Sequence, residues 1–226
     1  MVNVRLDCSV GDLWSGEAIL GLAELTDLHD KQAANTALDE EFQAAVDEIR
    51  AMGRSVLEEL VPRRVRATFK AMPNMDPSRY RPSSEALIRR CLGQGLGRIN
   101  PIVDLNNTLS IRFRFPLGVY DLDLLPLVCI YRLGTEGEEY STISLATKSA
   151  QGKLVLADDS GVVGSPFSDS SRAAIRAETS ALAVVAYFPF ETNEEEAATI
   201  MLEIEAAFNR HFAATPTRSF LLRRSQ

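Results

Sequence analysis

Apolar positions along this chain follow two periods, and where the period changes the expected element changes with it. Val2–Leu6 and the run Gly16–Leu25 are apolar enough for strands of a half-buried sheet. From Thr36 to Met52 the spacing becomes helical: Leu38, Phe42, Ala45, Val46, Ile49 and Met52 fall on one face. Thr36 is the expected N-cap of that helix and Gly53 its stop. Pro62 is expected at the first position of a second helix, whose stripe is Val65, Phe69 and Met72. Pro73–Pro82 reads as a loop, after which Ser83 or Ser84 caps a helix burying Leu87, Ile88, Cys91 and Leu92. Over 99–114 the run Ile102-Val-Asp-Leu suits a strand, but Ile102, Leu105, Leu109 and Phe113 recur at helical spacing, and a helix is the reading adopted.

Beyond Pro116 the texture turns to strands: Gly118–Asp123, Val128–Leu133, Tyr140–Leu145, Leu154–Ala157, Gly161–Gly164 and Ala181–Phe188. The last of these carries no charge and is expected at the centre of a sheet. A long helix follows over about 193–212, opened by a capping box of Thr192 and Glu195, and Ser219–Leu222 adds an edge strand. With no repeat, low-complexity tract or linker, the simplest account is one α+β domain. Its parts are N-terminal strands and helix (1–60), a core (61–190), and a C-terminal helix with edge strand (191–226).

Composition narrows the chemistry. The 226 residues are 46% hydrophobic and 24% charged, ordinary for a globular protein, and no apolar run is long enough to cross a bilayer. The N-terminus has no signal-peptide pattern, so a cytoplasmic location is the default and no membrane partner is expected. Cys8, Cys91 and Cys129 are odd in number and far apart, which gives neither a disulfide framework nor a zinc site. His29 and His211 are too few for a histidine-rich metal centre or a histidine-based triad. The net charge is −7, yet residues 61–114 hold eleven cations against three carboxylates, +8 locally, leaving −15 elsewhere. Ten of those cations are arginine, whose planar fork suits phosphate. That segment reads either as a solvated helical face or as a surface for a phosphate-rich partner.

No P-loop, dinucleotide fingerprint or nucleophile elbow is present, and Gly93-Gln-Gly95-Leu-Gly97 follows a helix and reads as a turn. Asp158-Asp159 and the Asp121/Asp123 pair read as turn formers or arginine partners, and Glu85/Arg89 as an i, i+4 pair. Three blocks are more informative. They are Tyr80–Arg90; Arg98–Asn107 continuing to Phe115–Asp123; and Leu156–Gly164 followed by Glu178-Thr179. The middle block combines Val103-Asp104-x-x-Asn107 with a downstream Pro116-x-x-x-Tyr120-Asp121. In this order, over roughly residues 60–190, they resemble the editing module of the phenylalanyl-tRNA synthetase beta subunit, its third and fourth domains. The resemblance is closer still to separately encoded proteins made of that module with an N-terminal extension.

The resemblance implies an α+β fold whose mixed sheet forms a partly opened barrel-like core with flanking helices. In the synthetase the module hydrolyses tyrosine wrongly attached to the phenylalanine tRNA, using neither metal nor nucleotide. It implies here a trans-acting aminoacyl-tRNA editing protein with no cofactor and no metal, whose partner is the aminoacylated 3′ end of a tRNA. An activated ester needs mainly a positioned water and a selective pocket. By position, Asn106 and Asn107 match the family's pocket-lining Thr-Asn pair and are the catalytic candidates. Gly161, Val162, Gly164 and Ser165 match the glycine-rich turn that closes the pocket. Gly118, Val119, Asp121 and Val185 line it, with Ser83 and Glu85 bracing its wall. The family commonly has histidine where this chain has Gly118, and a glutamate that meets the tyrosine hydroxyl where it has Val185. Without that acceptor a smaller or more apolar amino acid is the expected substrate. Arg63, Arg64, Arg66, Arg81, Arg89, Arg90 and Arg98 would carry the RNA. Two rival readings stay open: a non-catalytic module binding tRNA, an amino acid or another protein, and a hydrolase of free esters or amides. Nothing in the sequence selects an oligomeric state.

Overall fold

A computed structural model describes residues 1–14, 16–29, 35–72 and 80–223. Most of the expected loop at Pro73–Pro82, and Arg79 with it, lies outside the described residues. Two four-stranded sheets face each other. The first is ordered β10 (Thr215–Arg223), β2 (Ala18–Thr26), β9 (Leu182–Tyr187), β3 (Leu117–Asp121), all antiparallel. The second is ordered β1 (Asn3–Leu6), β4 (Val128–Leu133), β7 (Leu154–Asp158), β8 (Gly161–Gly164), with β1 parallel to β4. Both faces of β9 are covered, which is why its sequence Leu-Ala-Val-Val-Ala-Tyr has no polar alternation.

Alternation along β2, β9 and β3 sends one set of side chains to each face. Met201 of helix α6 (Glu194–Phe212) lies against Gly21, so α6 covers the face that holds Gly21 and its partner Ala186. On the other face the Tyr187 ring meets Tyr131 of β4 at 5.9 Å, and Tyr120 reaches Gly164 of β8. The sheets are laced at the β1/β10 edge: Val2 N–H donates to Glu24 (2.5 Å) and Arg218 to the Val2 carbonyl (2.6 Å). At the opposite edge β3 and β8 stand side by side. Helices α3 (Leu60–Lys70) and α4 (Ser83–Leu92) reach that edge, through Phe69 on Phe167 and the Ser83 N–H on the Pro166 carbonyl. The fold is thus α+β with mixed sheets and flanking helices, and the described strands do not close into a barrel.

The helix over 99–114 is α5 (Pro101–Phe113), with the Asn100 side chain accepting from Val103 N–H (3.0 Å). Several expected boundaries shift. Asn35, not Thr36, caps α2 (Thr36–Met52), since its Oδ1 takes the Leu38 N–H while its amide donates to the His211 carbonyl of α6. Asn193 takes the role expected of Thr192, whose hydroxyl instead donates to the Pro189 carbonyl. Pro62 sits at the third position of α3, and α4 starts at Ser83 behind Pro82 with no side-chain cap. Tyr140–Leu145 is not one strand. β5 (Glu139–Ser141) turns at Thr142–Ala146, where Leu145 has φ +61°, and pairs with β6 (Thr147–Ser149). A short helix α1 (Cys8–Leu13) lay outside the sequence reading, being too brief to show a period.

Candidate functional site

Several of the residues matched to the family pocket meet at β3: Gly118, Val119 and Asp121 lie on it, Val185 pairs with it, and Gly164 touches its Tyr120. Gly118 pairs across the ladder with Val185 and Val119 with Val184, so the two departures from the family pattern stand opposite each other. Tyr120, fully buried, leans back over Gly118 and forward to β8. A Cβ on Gly118 would sit 2.4 Å from the Tyr120 hydroxyl, and one on Gly164 only 2.0 Å from it. Both glycines are therefore the room that the tyrosine ring occupies. Gly161, by contrast, has open space around it and φ +119°: it serves the turn between β7 and β8.

That ring is pinned at its tip. Tyr120 Oη donates to Asp169 Oδ1 (2.5 Å), and it lies 2.7 Å from the Tyr187 hydroxyl, from which it accepts. Burial pushes the Asp169 carboxyl up to about 7, against the pull of Tyr120 and of the Ser165 N–H. Burial and the Asp169 charge in turn hold the Tyr120 phenol well above its ordinary range. The result is an enclosed carboxyl able to exchange a proton near neutral pH, sealed behind an aromatic ring.

Asn106 approaches the same strand from α5. Its Nδ2 donates to the Leu117 carbonyl (3.3 Å), and that acceptor fixes the amide's orientation. The Oδ1 is enclosed, the residue is 5% exposed, and among the described residues no donor reaches that oxygen. An unmet buried acceptor costs about 1–3 kcal/mol. Asn107 is half-buried with no side-chain hydrogen bond among the described residues. Asp104, the acid of the Val-Asp element, takes Arg98 (2.9 Å) and the Ile99 N–H (2.8 Å), which shapes the turn into α5. Asp121 is likewise committed, to Arg176 and to the Thr179 hydroxyl (2.7 Å). Glu85 holds Arg66 (3.0 Å) and Arg89 (2.7 Å). Burial raises its carboxyl, but these two hydrogen bonds outweigh that and keep it below the usual range.

Ser165 links this edge to an open cavity of about 310 Å³, lined by Tyr80, Arg81, Tyr140, Lys148, Ser149, Lys153 and Phe167. The Tyr140 hydroxyl lies 3.2 Å from Ser165 Oγ and 3.0 Å from the Ser168 carbonyl, to which it donates. A second cavity, about 530 Å³, opens between α2 and the start of α5. Its Arg98, Asp39 and Asp104 are paired with one another.

The basic segment is largely neutralised by the acidic remainder of the chain. Arg64 meets Glu191 and Glu196, Arg66 meets Glu58 and Glu85, and Arg98 meets Asp39 and Asp104. Arg112 and Arg114 hold Glu41, Glu48 and Glu59. Of the seven arginines expected to face RNA, Arg63, Arg81 and Arg90 are exposed and carry no ion pair among the described residues. The sequence reading missed Tyr187, Asp169, Lys148 and Lys153. The one signal for the first two was a tyrosine at alternate positions from glycine in Gly118-Val-Tyr120; no motif marks the lysines. Among the described residues no group of three or more His, Cys, Asp or Glu could hold a metal ion, and no helix is long and apolar enough to cross a membrane.

A search of curated proteins returns no match. Among solved structures the chain is similar to an N-terminal fragment of the phenylalanyl-tRNA synthetase beta subunit from Pyrococcus horikoshii. The identity is 12% and the TM-score 0.46; the match covers 100% of this chain and 55% of that one. The family model described as the B3/4 domain matches residues 66–215, from α3 to the start of β10. By that match the chain belongs to the B3/4 domain family, that of the phenylalanyl-tRNA synthetase beta subunit.

Proposed function

We propose that this chain is a trans-acting aminoacyl-tRNA editing protein, which removes a wrongly attached amino acid from the 3′ end of a tRNA by metal-independent hydrolysis. One observation carries the reading within the family: the buried Asn106 Oδ1, for which the protein supplies no donor among the described residues. An attacking water, or the α-amino group of the aminoacyl moiety, is the kind of donor that this oxygen accepts. Water would add to the ester carbonyl and the terminal ribose oxygen would leave with a proton, giving free amino acid and uncharged tRNA. Asn107, the next residue of α5 and half-buried, would supply a second amide. Arg63, Arg81 and Arg90 would meet phosphate, which makes the association salt-sensitive. A cytoplasmic site of action suits this substrate.

The Gly118–Val185 pair bears on specificity. Neither residue offers a hydrogen-bond acceptor side chain, and Tyr120 fills the space in front of Gly118. A small or apolar amino acid is favoured over tyrosine. Incubating the protein with a panel of mischarged tRNAs and following release of labelled amino acid tests the proposal. Accelerated release from at least one member supports it. Binding without release across the panel selects the rival reading, a non-catalytic tRNA-binding module, which the filled space around Tyr120 favours.

A further inference from the structure

We propose that the cavity between Tyr80, Arg81, Lys148 and Lys153 is a nucleotide subsite, in which the three cations hold a phosphate and the aromatic walls hold the base. Among the described residues the other buried or half-buried cations each meet a carboxylate. Arg64, Arg66, Arg114, Arg132 and Arg218 all do so. This cavity breaks that pattern, since no acid among the described residues lines it. Lys153 is 7% exposed, yet among the described residues its ammonium contacts only the Ser149 carbonyl and the face of Tyr80, 4.0 Å from the ring centre. Lys148 donates to Ser168 Oγ (3.2 Å), and exposed Arg81 has no ion pair among the described residues.

A buried ammonium without a counter-ion is costly in any fold. Burial, and then the charge of Lys148, depresses the Lys153 ammonium below its ordinary range. An anion entering the cavity would relieve both effects at once. Arg81 adds a planar donor fork, which suits the oxygens of a phosphate better than a single-point anion. The volume of about 310 Å³ exceeds that of phosphate alone, and Tyr80 and Phe167 supply flat apolar walls for a ring. A nucleoside phosphate fits all three features. Two sources share that chemistry: a free nucleotide, and the terminal nucleotide of an RNA. The inference stands on the charge of this cavity and needs no hydrolysis, so a protein that binds nucleotide and cleaves no ester would refute the editing proposal alone.

Calorimetric titration at low salt tests it with AMP, adenosine and a short RNA hairpin ending in CCA. AMP is expected to bind, adenosine to bind at least tenfold more weakly, and Arg81→Ala or Lys148→Ala to weaken AMP by tenfold or more. Both residues are exposed, so the variants should keep the wild-type melting temperature; Arg54→Ala, on an exposed turn after α2, is the control that leaves AMP affinity unchanged. Parallel weakening of hairpin and AMP binding in the variants assigns the site to an RNA end; weakening of AMP alone assigns it to a free nucleotide. Absence of AMP binding at millimolar concentration, or affinity unaltered in both variants, overturns the inference.

Discussion

Adding one methyl group at Gly164 should cost a measurable part of this protein's stability by crowding the Tyr120 ring. The new Cβ would lie 2.0 Å from Tyr120 Oη, 2.5 Å from Cζ and 2.7 Å from Cε1, all well inside contact distance. A free ring would swing aside. This one is held by Asp169 at 2.5 Å and Tyr187 at 2.7 Å, and its Cε2 side lies against Gly118. Overpacking costs about 1–3 kcal/mol, and losing a hydrogen bond to an enclosed carboxyl adds about 1–3 kcal/mol. Gly164→Ala should therefore cost about 3 kcal/mol or more, a fall in Tm of about 6–12 °C for a chain of this length. Denaturant unfolding of a double-mutant cycle is the assay. Tyr120→Leu destabilises by itself, but in that background the further cost of Gly164→Ala should drop below about 1 kcal/mol. Wild-type stability in Gly164→Ala, or equal cost in both backgrounds, would refute the packing role. Altered deacylation at unchanged stability would return Gly164 to the ligand pocket.

Three further outcomes follow from buried groups. Asp169 folds with its carboxyl raised to about 7, so it stabilises the fold below the ordinary carboxylate range and this contribution fades as pH climbs towards 7. The loss is at most about 4 kcal/mol, and Asp169→Asn should flatten the slope of stability against pH between 4 and 7. Glu85 has the opposite sign: its lowered carboxyl contributes at neutral pH and is lost on acidification, and Glu85→Ala should cost about 2 kcal/mol at pH 7, discounted for the partial exposure of Arg66 and Arg89, as read by urea unfolding. Cys129, buried and pushed up to about 12, and the buried Cys91 should resist iodoacetamide at pH 8 in the folded protein and react after denaturation; mass mapping of the alkylated peptides decides it.

Long periodic segments were legible in the sequence, because periodicity records burial directly. The stripe of Leu38 to Ile49 became a buried face, and the charge-free run Ala181–Phe188 became the buried strand Leu182–Tyr187. Caps moved by one residue wherever two polar residues stood in succession, since Asn35 and Thr36, or Thr192 and Asn193, are distinguished only by tertiary partners such as the His211 and Pro189 carbonyls. The basic segment illustrates a larger limit. Its +8 balance is visible in one dimension, but the carboxylates that quench it come from α2, α6 and the Gly53–Glu58 turn, and composition carries no record of that meeting. The motif residues were found, yet several are engaged within the fold itself: Asp104 shapes a turn, Asp121 anchors Arg176, and Tyr120 fills the space the glycines leave. The cavity around Lys153 escaped the sequence reading because its walls come from three separate stretches, 80–81, 140–153 and 167.

The most direct test compares wild type and Asn106→Ala for single-turnover release of amino acid from the tRNA that the panel identifies. The account predicts that the variant stays folded, with a Tm lowered by loss of the bond to the Leu117 carbonyl, while release slows at least tenfold. Release at the wild-type rate from Asn106→Ala would contradict it.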